Sequence, residues 1–117
     1  MKFFRACVVL AWLVMLPITI HAITTHGISG VGVFFTDFHS PWRAQINSDF
    51  GVHLCLVMAW IIYREPTLIR GTLFAIPVLM GSVYLLPYIL VASYKAGGRF
   101  DALLLGANLP NRIAAQC

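Results

Sequence analysis

Gly71-Thr-Leu-Phe-Ala-Ile-Pro-Val-Leu-Met-Gly-Ser-Val-Tyr-Leu-Leu-Pro-Tyr-Ile-Leu-Val-Ala-Ser-Tyr94 is a run of 24 residues without one charged side chain. As a helix it would be about 36 Å long, enough to cross a hydrocarbon core of about 30 Å with some tilt. Pro77 and Pro87 are expected to kink it and to free backbone carbonyls, which neighbouring helices or a hydroxyl such as Ser82 can satisfy. Gly71 and Ala75 form a small-x-x-x-small pair, a helix-packing site where another helix can approach closely.

Two further apolar runs lie upstream. The chain begins Met1-Lys2-Phe3-Phe4-Arg5, a short cationic stretch, and continues with an apolar segment over residues 6–24 that carries Pro17. A cleaved signal peptide, cut after Ala22, competes here with a retained helix. The retained helix is the expected state, because Ile20 occupies the position where a signal peptidase prefers a small residue and apolar character continues through Ile23. The second segment, residues 44–63, enters through polar residues and ends sharply at Arg64-Glu65-Pro66. From Asp49 to Tyr63 it measures only about 22 Å as helix, so part of residues 44–48 must enter the membrane or the bilayer must thin. The short connection from Arg64 to Arg70 makes the second and third segments a helical hairpin.

These runs account for the composition. Of 117 residues, 60% are hydrophobic and 10% charged, and a soluble domain of this size could not cover that much apolar surface. The expected fold is therefore all-α and integral to the membrane: one domain over residues 1–117 with three transmembrane helices. An interfacial loop over residues 25–43 joins the first two, and a short tail covers residues 95–117. Ser40-Pro41 offers a helix start within that loop, and Phe34, Phe35 and Phe38 suit a membrane interface. The Leu103-Leu104-Leu105 patch is too short to cross, so a surface-lying or loosely ordered tail is expected.

The eight Lys and Arg residues are scattered at the ends of the apolar runs, where they serve as membrane anchors and not as a nucleic-acid surface. Three spans would put Lys2, Arg5, Arg64 and Arg70 on one side and Arg43, Lys95, Arg99 and Arg112 on the other. That balance leaves orientation to the early Lys2 and Arg5, which favour an inside amino terminus. Cys7, Cys55 and Cys117 show no disulfide or zinc pattern, and Arg64-Glu65 reads as an interfacial ion pair at a helix end.

Chemistry, if present, is expected on the second helix. Steps of 100° per residue place Gln45, Asp49, His53, Leu56, Trp60 and Tyr63 within about an 80° arc. Asp49 and His53 are one turn apart, so carboxylate and imidazole can interact. If this stripe faces the bundle it forms a small intramembrane polar site; if Asp49 lies near the surface, the helix amino terminus favours its charge and His53 can bond a backbone carbonyl. His21, His26, His39 and His53 show no metal-ligand spacing, and only His53 is deep enough for haem, so no cofactor or metal is expected. No nucleophile elbow, phosphate loop or paired acidic motif occurs, so no enzyme is expected either.

The pattern Phe34-Phe35-x-Asp37-x-x-x-Pro41-Trp42-Arg43-Ala44-x-x-x-x-Asp49, with Tyr63-Arg64-Glu65 and a glycine- and proline-bearing third run, resembles a family of small uncharacterised bacterial membrane proteins. The likeness covers residues 27–95. It implies about three spans and supplies no activity. The expected function is that of an accessory or structural protein of the bacterial inner membrane, multi-pass, contacting the lipid bilayer and either its own copies or a larger membrane protein. The rival is binding or transport of a small apolar or protonatable ligand at the Asp49 and His53 stripe.

Overall fold

The computed structural model describes residues 1–110 and residue 114. Expectations placed on Arg112, Cys117 and the side chains of Phe34 and Phe35 lie outside the described residues. The described chain is all-helical: α1 (Lys2–His26), a 3₁₀ turn (Ile28–Gly30), α2 (Val31–Thr36), α3 (Pro41–Arg64), α4 (Leu68–Ala75), a second 3₁₀ turn (Ile76–Met80), α5 (Ser82–Lys95), α6 (Phe100–Leu105) and a last 3₁₀ turn (Gly106–Asn108). Two of these helices, α1 and α3, are long and apolar enough to cross a membrane. At 25 and 24 residues they are each about 36 Å long.

Helix α3 begins with Pro41 in its first turn after an extended Ser40, where the missing N–H of proline costs nothing, and it ends at Arg64 before Pro66. It is thus longer at both ends than the apolar pattern alone indicates.

The third apolar run is not one helix. Residues 71–94, expected as a single crossing, are split by Gly81, whose φ of +82° lies in the left-handed region that side chains with a Cβ avoid. Pro77 sits at the start of the 3₁₀ turn, which tightens the chain just before that glycine. The two arms then fold back on each other. The Tyr84 hydroxyl donates to the Phe74 carbonyl at 2.8 Å, and the rings of Phe74 and Tyr88, seven residues either side of Gly81, lie 5.9 Å apart. The entering arm, α4 with its 3₁₀ turn, is about 22 Å long and the returning arm α5 about 21 Å.

Each arm packs against one long helix. Gly71 lies so close to α3 that a Cβ there would sit 2.8 Å from the Ile62 Cα. Below it Ala75 and Val78 are buried with Ile61, surrounded by Leu54, Val57 and Met58. The small pair Gly71 and Ala75 therefore serves contact within the chain. Helix α5 lies antiparallel along α1: Arg5 bonds Ser93, and the Trp12 indole donates to the Val83 carbonyl at 3.1 Å. The order across the molecule is α1, α5, the α4 arm, α3.

The described part of the tail, through residue 108, is docked, where a surface-lying or loose segment is expected from the sequence. Leu103 is buried, Phe100 meets Phe4 edge to face at 5.5 Å, and Asn108 donates to the Tyr63 carbonyl. What the pattern of residues 100–108 conceals is that the Leu103 and Leu104 carbonyls accept from the side chains of Arg64 and Trp60, while the Asn108 side chain donates to the α3 backbone.

Candidate functional site

The expected stripe on α3 does not enclose a site within this chain. Gln45, Asp49, Leu56 and Tyr63 are exposed, and the side chains of Asp49 and His53 keep 60% and 66% of their accessible surface. His53 Nδ1 lies 2.7 Å from the Asp49 carbonyl oxygen, one turn back on its own helix, and 3.6 Å from the Asp49 carboxylate. The interaction expected between the two is present, but it faces away from α4 and α5. Trp60 alone of the stripe turns inward, donating to the Leu104 carbonyl at 3.0 Å and meeting Tyr88 edge to face.

The polar groups that the fold does bring together lie at the other end of α3. Arg64 is the last residue of that helix, and its side chain is only 9% exposed. Its Nε donates to the Leu103 carbonyl at 3.0 Å and its Nη1 to the Tyr88 hydroxyl at 2.8 Å. The guanidinium carbon lies 5.6 Å from the ring centres of both Trp60 and Tyr88, within cation–π range. Glu65 completes the cluster. One carboxylate oxygen accepts from Tyr88 at 2.8 Å and lies 3.5 Å from Arg64, while the other is 3.0 Å from Arg70 Nε. The Arg64 and Glu65 pair is thus present, with Arg70 the nearer cation.

Local structure explains the convergence. Pro66 ends α3 and turns the chain, and the Thr67 hydroxyl caps α4 by accepting from the Arg70 N–H, which sets Arg70 one turn into that helix on the side of Glu65. Tyr88 arrives only because α5 returns from Gly81. Gly106 lets the tail pass against Arg64: its φ is +53°, and a Cβ there would collide with the Arg64 carbonyl oxygen.

A second polar lock joins α1 to α5 at the same end. Arg5 donates through Nε to the Ser93 hydroxyl at 3.0 Å and through Nη2 to the Ser93 carbonyl at 2.7 Å, with its guanidinium over the Tyr94 ring at 4.1 Å. Ser93 is fully buried. Tyr88, Ser93 and the tail carbonyls are partners that local pattern does not reveal; the only hint in the sequence is Gly81 four residues after Pro77.

The return of α5 also redistributes charge. Lys2, Arg5, Arg64, Arg70, Lys95 and Arg99 all lie at one end, and among the described residues only Arg43 lies at the other, paired with Asp37 at 2.9 Å. That far end carries Asp37, Asp49, His21, His26 and His39. Outside the long helices, hydrogen bonds from Arg99 and then from the Ala102 N–H hold the Asp101 carboxyl below its ordinary value of 3.8. Among the described residues no group of three or more His, Cys, Asp and Glu stands close enough to hold a metal ion. No family model, curated protein or solved structure matches the chain, so the site is read from its own geometry.

Proposed function

We propose that this is a small integral membrane protein that crosses the bilayer twice, through α1 and α3, and dips into it once more with a re-entrant hairpin formed by α4 and α5. It serves as an accessory or structural component of a bacterial inner-membrane assembly. The observation that carries this reading is the contact between Tyr88 and Glu65: the returning arm lies beside the base of the entering one, so residues 68–95 begin and end at the same face.

Further support comes from burial. Among the described apolar residues only Val8, Ile61, Ala75, Val78, Ala92 and Leu103 are buried, while Leu10, Leu13, Val14 and Ile18 on α1 and Val52 and Leu56 on α3 are exposed. Lipid covers such surfaces without cost. Arms of about 22 Å reach most of the way through a core of about 30 Å and then turn back. Among the described residues, six cations at one end against one at the other support a cytoplasmic basic end under the positive-inside rule. Cutting after Ala22 would remove Arg5 and Trp12, the partners of α5, which favours a retained α1.

The chain should stay in the membrane pellet under alkaline carbonate; release into the supernatant overturns membrane integration. Single cysteines replacing Pro66 and Ala96, in a background without Cys7, Cys55 and Cys117, should react with an impermeant maleimide from the same face. Labelling from opposite faces would restore three crossings. Crosslinking in native membranes should trap a homo-oligomer or a larger partner, and a strictly monomeric species would count against the accessory role.

A further inference from the structure

Beside the Arg64 cluster, at the base of the hairpin, a half-open cleft of about 180 Å³ is lined by Arg64, Arg70 and Lys95 together with Glu65, with Phe74 and Val91 on its apolar wall. The single carboxylate is already committed: both oxygens of Glu65 are taken, by Tyr88 and the two arginines. Three cations against one anion leave an excess of two positive charges around the cleft. Lys95 makes no side-chain hydrogen bond or ion pair among the described residues, and Arg70 pairs with Glu65 through Nε, its guanidinium over the Phe74 ring at 5.5 Å. Side chains with donors to spare thus line a space roomy enough for a phosphate group.

From this we infer that the cleft binds a phosphate group, and that its source is the headgroup of an anionic lipid in the leaflet at the basic end. This rests on the membrane reading given above. Arginine forks and a lysine point charge are the donors a phosphate diester needs. The wall of Phe74 and Val91, with Val91 exposed, offers the apolar surface along which an acyl chain leaves the headgroup. Basic pockets between helices on the cytoplasmic side are suited to such headgroups, because the leaflet there is itself anionic.

The test uses the full chain, purified in detergent and examined by native mass spectrometry with phosphatidylglycerol and phosphatidylcholine of matched acyl chains, and with inorganic phosphate as competitor. Phosphatidylglycerol should be retained over phosphatidylcholine. Lys95→Gln should weaken that retention about fivefold, the worth of one cation near an anionic headgroup, and adding Arg70→Gln should weaken it further. Arg43→Gln at the far end should leave it unchanged. Because the Lys95 side chain makes no hydrogen bond or ion pair among the described residues, its substitution should leave the fold intact. Displacement of the lipid by inorganic phosphate would support the oxyanion site while assigning it to free phosphate. Equal retention by wild type and Lys95→Gln, or equal loss in Arg43→Gln, overturns the site. Release by carbonate would instead overturn the membrane reading, so the two failures are separable.

Discussion

The two ends of this molecule solve the same problem in opposite ways. At the basic end, α3, α4, α5, α6 and the start of α1 converge, and the buried Arg64 and half-buried Arg5 each have a fixed set of partners: Arg64 with Tyr88, Glu65 and the Leu103 carbonyl, Arg5 with Ser93. At the far end α1 and α3 run on without the hairpin between them, and the polar groups turn outward, with His53 bonded to its own helix and Arg43 paired with Asp37 near the surface. Converging arms remove side chains from solvent and therefore demand partners for every polar atom they bury. A pair of helices alone makes no such demand. Order at one end and tolerance at the other follow from where the hairpin stops.

Breaking the basic end should cost the most. Arg64→Ala leaves the Leu103 carbonyl without its donor and takes from Glu65 one of its two cations, Arg70 remaining, and truncating one partner of a buried ion pair costs about 3 kcal/mol. Arg43→Ala removes an ion pair whose arginine side chain is 66% exposed and should cost well under about 1 kcal/mol. Unfolding of the purified chain by denaturing detergent measures both. Similar losses at the two ends would abolish the contrast.

Next in size is Gly71→Val. With no space between Gly71 and the Ile62 backbone, the added side chain pushes α4 off α3 and should cost about 2 kcal/mol, the usual penalty of overpacking. The same substitution at Gly51, where a Cβ meets nothing, should have little effect.

How much of this was legible in the sequence depends on the range over which each feature is determined. The apolar runs, the start of α3 at Pro41 and its end before Pro66 follow from local chemistry, and so does the juxtaposition of Arg64 with Glu65. The reversal at Gly81 does not, because a glycine within an uncharged run is equally compatible with a kinked crossing; only the bonds from Tyr84 to Phe74 and from Tyr88 to Glu65 distinguish a hairpin from a span. That one reversal carries Lys95 and Arg99 to the other end and turns an even charge balance into a lopsided one. The stripe from Gln45 to Tyr63 was legible as a stripe, but helical periodicity says which residues share a face and not which face is covered.

A smaller effect should appear on acidification. The folded Asp101 carboxyl titrates below its ordinary value of 3.8, held down by Arg99 and the Ala102 N–H. Its contribution to the start of α6 is therefore complete above that value and is lost as pH falls through the lower folded one. Trp60, bonded to the Leu104 carbonyl, reports on α6, so its fluorescence should change in that acid range in the wild type and not in Asp101→Asn.

The smallest expected effect is at Asp49 and His53, and it tests the far end most directly. Their side chains are largely exposed and touch each other and their own backbone, so Asp49→Asn and His53→Gln remove one partner each without orphaning any buried group. Each should change stability by less than about 0.5 kcal/mol, as surface substitutions away from packed features do. Crosslinking in native membranes should likewise be unaltered if lipid or water covers this face. If either variant instead abolished a crosslinked species while leaving the monomer's unfolding unchanged, the stripe would be a contact for another chain. The far end would then owe its polar groups to a partner, and the contrast between the ends would be one between bonds made within the chain and bonds made outside it.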